Sequence, residues 1–228
     1  MIRGLYSAAS GLVAQSIKQD VMANNIANAN TAGFKRLSVV DSSFAVVLRE
    51  EAATLLDRQR PAYPNSAVDP VVVRVETAVD TTQGPIRSTE NTMAIAIEGP
   101  GAFEISWGSG TRHTRAGSFS VDVDGDLCAG GGKVQGQSGP IRAPDGEWRV
   151  GTDGSITVDG AAVDRIKVAG AKDGKTAVRQ YAVEESNVNI VNEMVQMIAN
   201  LRSFEANQKV VSSIDHTLDK LINEAGRV

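Results

Sequence analysis

The chain has 228 residues, 42% hydrophobic and 4% aromatic, so it can bury one sizeable core or two modest ones that are poor in aromatic rings. Its formal charge is -4, with 23 basic and 27 acidic residues interspersed, and the lack of a basic stripe predicts no nucleic-acid partner. Cys128 is the single cysteine, which excludes an internal disulfide and a cysteine-based metal site, and no apolar run reaches the roughly 20 residues of a membrane-spanning helix.

The N-terminal zone, residues 1–36, has the periodicity of a helix. Gly4 and Gly11 each cost about 1 kcal/mol relative to Ala, so this helix is weak alone and is expected to order against a partner surface. It is predicted to end in the Asn-rich stretch before Gly33. Arg3 is followed by Gly, Ser and Ala rather than by a continuous apolar segment, so no cleavable secretory signal is expected. Eight positions, six of them apolar, share one helical face at spacings of three and four: Ile2, Leu5, Ala9, Leu12, Ser16, Gln19, Ala23 and Ile26.

Residues 37–80 are predicted to be a connecting segment. Apolar residues among Glu, Ala and Arg are compatible with a helix within residues 39–59, and the prolines at 61 and 64 close that stretch.

Residues 81–183 change to the period-two alternation of half-buried strands, around Ile95, Phe119, Ile156 and Ile166. Asp-Gly pairs that begin at residues 124, 145, 153, 159 and 173 separate the strands, and Asp-Gly is the favoured type I′ hairpin turn. The pattern predicts a small antiparallel β domain.

Residues 184–228 carry the strongest periodic pattern in the chain, a heptad seam without proline. Glu184 or Ser186 is the expected cap of this helix. Eight of the ten seam positions are apolar: Ile190, Met194, Met197, Leu201, Phe204, Gln208, Val211, Asp215, Leu218 and Ile222.

The predicted fold class is α+β. The N- and C-terminal helices form a coiled-coil-like helical domain in which the C-terminal heptad helix pairs with the N-terminal helix, and a small antiparallel β domain is inserted between them. The alternative is one compact α+β domain in which both helices pack onto the sheet.

Residues that could carry chemistry are sparse. His113 and His216 are isolated from each other and from any metal-binding motif. Asp122, Asp124 and Asp126 resemble half of a calcium loop, but the glycine and the glutamate that such a loop requires are misplaced. We therefore predict no catalytic, cofactor-binding or metal-binding residues, no small-molecule substrate and no enzyme activity.

Two alternatives from other classes stay open. One is a carbohydrate- or cell-wall-acting enzyme that uses carboxylates of the β domain, such as Asp122 and Asp153. The other is a monomeric binding module whose helices fold back on the β domain.

Four stretches of the sequence resemble the flagellar axial proteins, the rod and hook subunits of the bacterial flagellum. Residues 20–36, DVMANNIANANTAGFKR, resemble the N-terminal signature of that family, and residues 185–207, ESNVNIVNEMVQMIANLRSFEAN, resemble its C-terminal signature. Residues 83–99 resemble its strand segment, and residues 114–127 resemble its TRxGxF hairpin. The length and the single β domain resemble the proximal or distal rod subunits.

The resemblance implies a structural subunit of the flagellar basal-body rod, which polymerises through its terminal helices into the periplasm-crossing drive shaft of motility. The implied partners are copies of the chain, other rod and hook subunits, and the flagellar type III export apparatus. The implied location is the rod in the periplasm, reached without a cleavable signal peptide.

The predicted assembly interface consists of the two terminal signatures and the anchors of the two helical faces. Its residues are Leu5, Leu12, Asn24, Asn25, Ile26, Asn28, Gly33, Phe34, Met194, Met197, Leu201, Phe204, Val211, Leu218 and Ile222.

Overall fold

The computed structural model describes residues 2–43, 73–108, 110–143, 146–171 and 175–225, and side chains are considered for these residues except 2–7, 41–43, 73–75, 221 and 224–225. The chain divides into two compact units. The helix unit comprises residues 1–27, 37–80 and 189–228, and the β unit comprises residues 28–36 and 81–188.

The helix unit contains both terminal helices, α1 (Ile2–Ala27) and α2 (Ile190–Ala225). They run antiparallel, because Gly11 lies against Asn207 whereas Asn25, later in α1, bonds to Glu193, earlier in α2. Strands β1 (Leu37–Ser43) and β2 (Val73–Val79) pair antiparallel in the same unit, with Leu37 opposite Val79. In the described part of the chain, no helix is both long enough and apolar enough to span a membrane.

Hydrogen bonds form just after the C-terminal end of α1 and at the N-terminal end of α2. After α1 ends at Ala27, the Thr31 amide donates to the Asn28 carbonyl at 3.0 Å in a turn, and Gly33, further along the chain, adopts a φ of +70°, which favours glycine. The cap of α2 is Asn189, whose Oδ1 accepts the Asn192 amide at 3.0 Å. The predicted caps Glu184 and Ser186 are therefore wrong.

The β unit is built from short antiparallel strands in four sheets among the described residues. One sheet pairs β10, β11 and β12, a second joins β13, β5, β9, β8 and β7 with β6 beside β5, and the pairs β14–β4 and β15–β3 complete the unit. The strands are β3 (Ile86–Ser88), β4 (Ile95–Glu98), β5 (Ala102–Trp107), β6 (Gly110–Thr114), β7 (Ser120–Val121), β8 (Leu127–Ala129), β9 (Gly132–Val134), β10 (Trp148–Val150), β11 (Ser155–Val158), β12 (Ala161–Arg165), β13 (Val168–Ala169), β14 (Ala177–Gln180) and β15 (Ala182–Glu184).

The hydrophobic core lies within this β unit. Phe103 and Phe119 meet edge to face with ring centroids 5.1 Å apart. The buried apolar side chains that surround them are Ile95, Ile97, Ile105, Leu127, Ala129, Val134, Ile141, Trp148, Ile156, Val158, Ile166 and Val178.

The type I′ chemistry predicted for the Asp-Gly pairs is confirmed at Asp159-Gly160 but not at Asp124-Gly125 or Asp153-Gly154, where only the glycine has a positive φ. Asp159 and Gly160 both have positive φ, 51° and 83°, between β11 and β12, as a type I′ turn requires. The strand prediction around Phe119 is only partly right, because Phe119 is buried whereas Val121 and Val123 are exposed.

The predicted fold class is wrong. The structure is β-rich: the described residues hold fifteen strands in five sheets and two helices, so the β portion is not a small insert in a coiled-coil-like helical domain. Strands of two or three residues are too short to show alternation, which is why the sequence pattern underestimates them. The helix considered for residues 39–59 is also wrong where the structure describes it, since β1 extends to Ser43; residues 44–59 lie outside the described residues.

Candidate assembly interface

One side of α2 forms an inner seam against α1. The seam positions recur every three or four residues and are less exposed than their neighbours: Glu193, Met197, Asn200, Phe204, Asn207, Val211, Ile214 and Leu218. It shares Met197, Phe204, Val211 and Leu218 with the heptad pattern predicted from the sequence, but its other positions precede the predicted ones by one residue. The contacts of this side with α1 are therefore polar as well as apolar.

Three polar side chains of the inner seam bond to α1. The Asn200 Nδ2 donates to the Gln15 carbonyl at 2.8 Å, and the Asn207 Nδ2 donates to Gln15 Oε1 at 3.2 Å. The Glu193 Oε2 accepts from Asn25 Nδ2 at 3.2 Å. We name this set, Gln15, Asn25, Glu193, Asn200 and Asn207, the polar ladder.

Asn25 connects the polar ladder to β1. Its side chain is 1% exposed, its Nδ2 donates to the Leu37 carbonyl at 2.8 Å, and its Oδ1 accepts the Leu37 amide at 2.9 Å. This signature asparagine therefore satisfies both backbone groups of Leu37, which are costly to bury unpaired.

A second side of α2 is apolar and exposed. Val191, Met194, Val195, Ile198 and Leu201 recur at helical spacings and are 69%, 49%, 61%, 54% and 37% exposed. We name these five residues the outer apolar face. Exposed apolar side chains grouped in this way are typical of an interaction surface.

The structure places the predicted interface residues in different environments. In α1, Leu12 and Ile26 are half-buried and Asn24 is exposed. The Leu5 side chain is not among the side chains that the structure describes. Asn28, Gly33 and Phe34 belong to the β unit and are half-buried. In α2, Met194, Leu201 and Ile222 are exposed, whereas Met197, Phe204, Val211 and Leu218 are half-buried on the inner seam.

Within the β unit, the Glu184 carboxylate is the centre of a buried ion cluster. Its Oε1 accepts from the Gly84 amide at 3.0 Å and from Lys35 Nζ, and its Oε2 accepts from Arg115 Nη1 at 2.7 Å. Glu184 is fully buried and Arg115 is 9% exposed. These charges compensate one another, which is the condition for burying them.

The cluster joins segments that are far apart in the chain. Arg115 also donates to the carbonyls of Ile97, Gly99 and Gly101, and the Gly33 amide donates to the Glu184 carbonyl at 2.7 Å. A Cβ added to Gly33 would collide with the backbone of Arg115 and Ala116, so this position of the N-terminal signature requires glycine. Among the described residues, no buried side-chain nitrogen or oxygen lacks a hydrogen-bond partner.

The Asp122, Asp124 and Asp126 turn surrounds a lysine. Lys133 Nζ lies 2.6 Å from Asp126 Oδ2, 3.4 Å from Asp124 Oδ2 and 3.7 Å from Asp122 Oδ2. The hydrogen bond to Asp126 raises the pKa of Lys133, so an ammonium group supplies the positive charge in this turn. The backbone amide of Asp126 lowers the pKa of Asp122.

Burial and the neighbouring Asp122 charge raise the pKa of the Cys128 thiol, which lies 3.7 Å from Asp122 Oδ2. Cys128 and Lys133 line a pocket of about 330 Å³ together with Trp107, and Arg112 stacks 5.3 Å from the Trp107 ring centroid. A raised thiol pKa keeps this cysteine protonated near neutral pH, which makes it a poor nucleophile.

The geometry argues against the carbohydrate-acting alternative that uses Asp122 and Asp153. Hydrogen bonds from the Ser155 hydroxyl and amide lower the pKa of Asp153. Both shifts favour the ionised carboxylate, whereas glycoside hydrolysis needs one of the pair to stay protonated as the general acid.

The sequence interpretation missed the residues that carry the buried polar contacts. Glu193, Asn200 and Asn207 recur every seven residues in α2, a polar repeat that could have been noticed. Glu184, between Val183 and Glu185, has no pattern that distinguishes it from a solvated acid. Lys35 and Arg115 fall inside the quoted signatures without having been assigned a role.

Three family descriptions match this chain in order. One described as "Flagella basal body rod protein" matches residues 5–35, and "Flagellar hook protein FlgE/F/G D1 domain" matches residues 96–164. "Flagellar basal body rod FlgEFG protein C-terminal" matches residues 179–224. These ranges include most of α1, most of the core strands of the β unit and most of α2.

Similar proteins cover almost the whole chain. The flagellar basal-body rod protein FlgG of Bacillus subtilis is 29% identical over 266 aligned positions, which cover 98% of this chain and 99% of that protein. FlgF of Caulobacter vibrioides is 29% identical with full coverage of both chains. The flagellar hook-basal body complex protein FlhO of Bacillus subtilis is 26% identical, again with full coverage.

The helical signatures at both ends and the D1-type match in the β unit define the class as the flagellar axial proteins. Within that class, the chain belongs to the flagellar basal-body rod protein family, which confirms the resemblance predicted from the sequence.

Proposed function

We infer that the chain is a structural subunit of the flagellar basal-body rod. Its relatives over the whole length are named basal-body rod proteins, and the observation that carries the mechanism is the outer apolar face of α2. Its partners are other flagellar axial subunits, and it acts as a structural protein rather than as an enzyme.

We propose that polymerisation covers the outer apolar face with helices of neighbouring subunits. Full burial of a Val, Leu, Ile or Met side chain contributes about 1.5–3 kcal/mol, so five half-exposed side chains supply several kcal/mol before the cost of association is subtracted. A contact between different surfaces of successive subunits produces an open helical filament when it does not close into a ring.

The predicted anchors divide between two roles under this proposal. Met194 and Leu201 belong to the outer apolar face and contact neighbouring subunits, and exposed Ile222 adds a further apolar contact. Met197, Phe204, Val211 and Leu218 stabilise the pairing of α2 with α1. Leu12, Asn24 and Ile26 are the proposed contacts of α1 with neighbouring subunits. Asn28 and Phe34, in the β unit, are proposed as separate contacts.

The proposed location is the rod segment that crosses the periplasm, where the assembled subunits act as the drive shaft of motility. The proposed route is the flagellar type III export apparatus, without a cleavable signal. A single cysteine suits this route, because a chain without internal disulfides passes unfolded through a narrow channel.

The test replaces Ile198 in the outer apolar face with Asp. Ile198→Asp places a charge where a neighbouring helix would bury it, so the variant should abolish rod completion and swimming in a strain whose own gene is deleted. Electron microscopy of isolated basal bodies and a motility assay measure the result.

Ser203→Asp is the matched control, since Ser203 is exposed on a third side of the same helix. It should support rod assembly. Equal secretion and equal circular dichroism of the two purified variants exclude misfolding as the cause. Normal rods with Ile198→Asp would contradict the proposal that this face mediates assembly.

A further inference from the structure

Polar residues occupy alternate positions of the seam between α1 and α2, where apolar residues would contribute more stability. Glu193 is 1% exposed and Asn200 is 8% exposed, and Asn207 is half-buried. A buried asparagine in a helix–helix seam lowers stability, and its best-attested use is to specify register and partner.

The order of polar and apolar residues along the α2 seam permits one alignment of α2 with α1. Successive seam positions at seven-residue intervals are Glu193, Asn200, Asn207 and Ile214. A slip of α2 by one heptad in one direction would place Ile214 beside the Gln15 amide and Asn200 beside Asn25. A slip in the other direction would place the Glu193 carboxylate against the Gln15 carbonyl, where two acceptors face each other.

The close approach at Gly11 reinforces this alignment. A Cβ added to Gly11 would lie 3.3 Å from Asn207 Nδ2, so the backbone of α1 lies close to α2 where the seam residue is Asn207. The branched Ile214 at that place would crowd the backbone of α1.

We propose that the polar ladder sets the register in which α1 and α2 of one chain pair. The apolar seam residues alone fit several heptad-shifted alignments, because Met197, Phe204, Val211 and Leu218 also repeat every seven residues. The hydrogen bonds of Gln15 and Asn25 are satisfied together in a single alignment. The polar ladder thereby distinguishes the side of α2 that pairs with α1 from the outer apolar face. The proposal does not depend on whether the chain assembles into rods.

The experiment measures the register directly in the purified full-length chain. Spin labels are placed on two exposed positions that lie far apart along the helix pair, Asp20→Cys in α1 and Asp219→Cys in α2, in a Cys128→Ser background. Labelled chain is diluted with unlabelled chain so that pulsed electron paramagnetic resonance reports only distances within one molecule. The parent should give one narrow distance.

The test variant is Asn200→Leu with Asn207→Leu. It should keep the helices paired but add populations displaced along the helix axis by about 10 Å, which is seven residues at about 1.5 Å each. A second variant adds Gln15→Leu, because the first variant leaves the Gln15 side-chain amide without its hydrogen-bond partner Asn207. If that unpaired amide makes the first variant lose helix content, the second variant is measured instead.

Asn192→Leu with Gln208→Leu is the matched control, since it adds the same two leucines at exposed positions of α2. It should retain the parent's single distance. The proposal is overturned if the ladder variants also retain a single distance, if the control acquires the shifted populations, or if the parent itself shows several distances. Rod assembly is not a readout here, so the outcome is independent of the Ile198→Asp experiment.

Discussion

The Lys133 side chain supplies the positive charge that the turn of Asp122, Asp124 and Asp126 surrounds. Carboxylate oxygens of Asp122, Asp124 and Asp126 lie within 4.8 Å of one another, an arrangement that suits a cation. In this structure the Lys133 ammonium lies among them. Residue spacing alone excludes a calcium loop here, because the required glycine and glutamate are misplaced. It could not show that the lysine folds back onto the same carboxylates, because that depends on the pairing of β8 with β9.

At this scale, we predict a pH-dependent effect of Asp122→Asn. The folded-state pKa of Asp122 is lowered below its ordinary 3.8, so its stabilising contribution is fully present above that value and is lost as pH falls through the lower folded pKa. The variant should be less stable than the parent at neutral pH, and the difference should shrink in acid below 3.8. Urea unfolding across this range measures it, and a difference independent of pH would contradict the prediction.

Helix α2 shows what periodicity does and does not determine about an element. The seven-residue repeat correctly predicted a long, uninterrupted C-terminal helix. It did not identify the side of α2 that faces α1, because apolar residues of the inner seam and of the outer apolar face lie on the same helix. The side that also carries polar residues is the one that pairs with α1. The start was also misplaced, since Glu184 and Ser186 were preferred over Asn189 as the cap.

As the N-terminal cap, Asn189 should contribute to the stability of α2. Asn189→Ala should destabilise α2 by about 1 kcal/mol, because it removes the acceptor of the Asn192 amide. Asn192→Ala, three residues later and exposed, should be neutral or slightly stabilising since Ala has the higher helix propensity. Thermal unfolding followed by the far-ultraviolet signal distinguishes the two, and equal effects would show that Asn189 is not the cap.

Over the whole molecule, the Glu184 cluster matters because its members are distant in sequence. Lys35, Gly84, Arg115 and Glu184 come from four separate parts of the chain and meet around one buried carboxylate. Their contacts hold residues 33–35, from the N-terminal signature, against β15 within the β unit.

We therefore expect Glu184→Gln to destabilise the β unit by on the order of 3 kcal/mol, because it leaves the buried Arg115 charge without its counter-ion. The neighbouring Glu185 provides the comparison. Its ion pair with Arg87 is exposed on both sides, 46% and 65%, so Glu185→Gln should change stability by less than about 0.5 kcal/mol. Chemical denaturation of both variants measures the difference, and similar losses would show that the cluster has no special stabilising role.

The sequence by itself determined the family, the two terminal helices and the Asp159-Gly160 hairpin. Each depends on residues close together in the chain: a signature, a helical period, or a turn dipeptide whose backbone preference is local. Only the tertiary structure decided the extent of the β unit, the side of α2 that meets α1, and the partners of Glu184 and Asn25. Those features depend on which distant groups become buried together, since a buried polar group must find a partner wherever the fold supplies one.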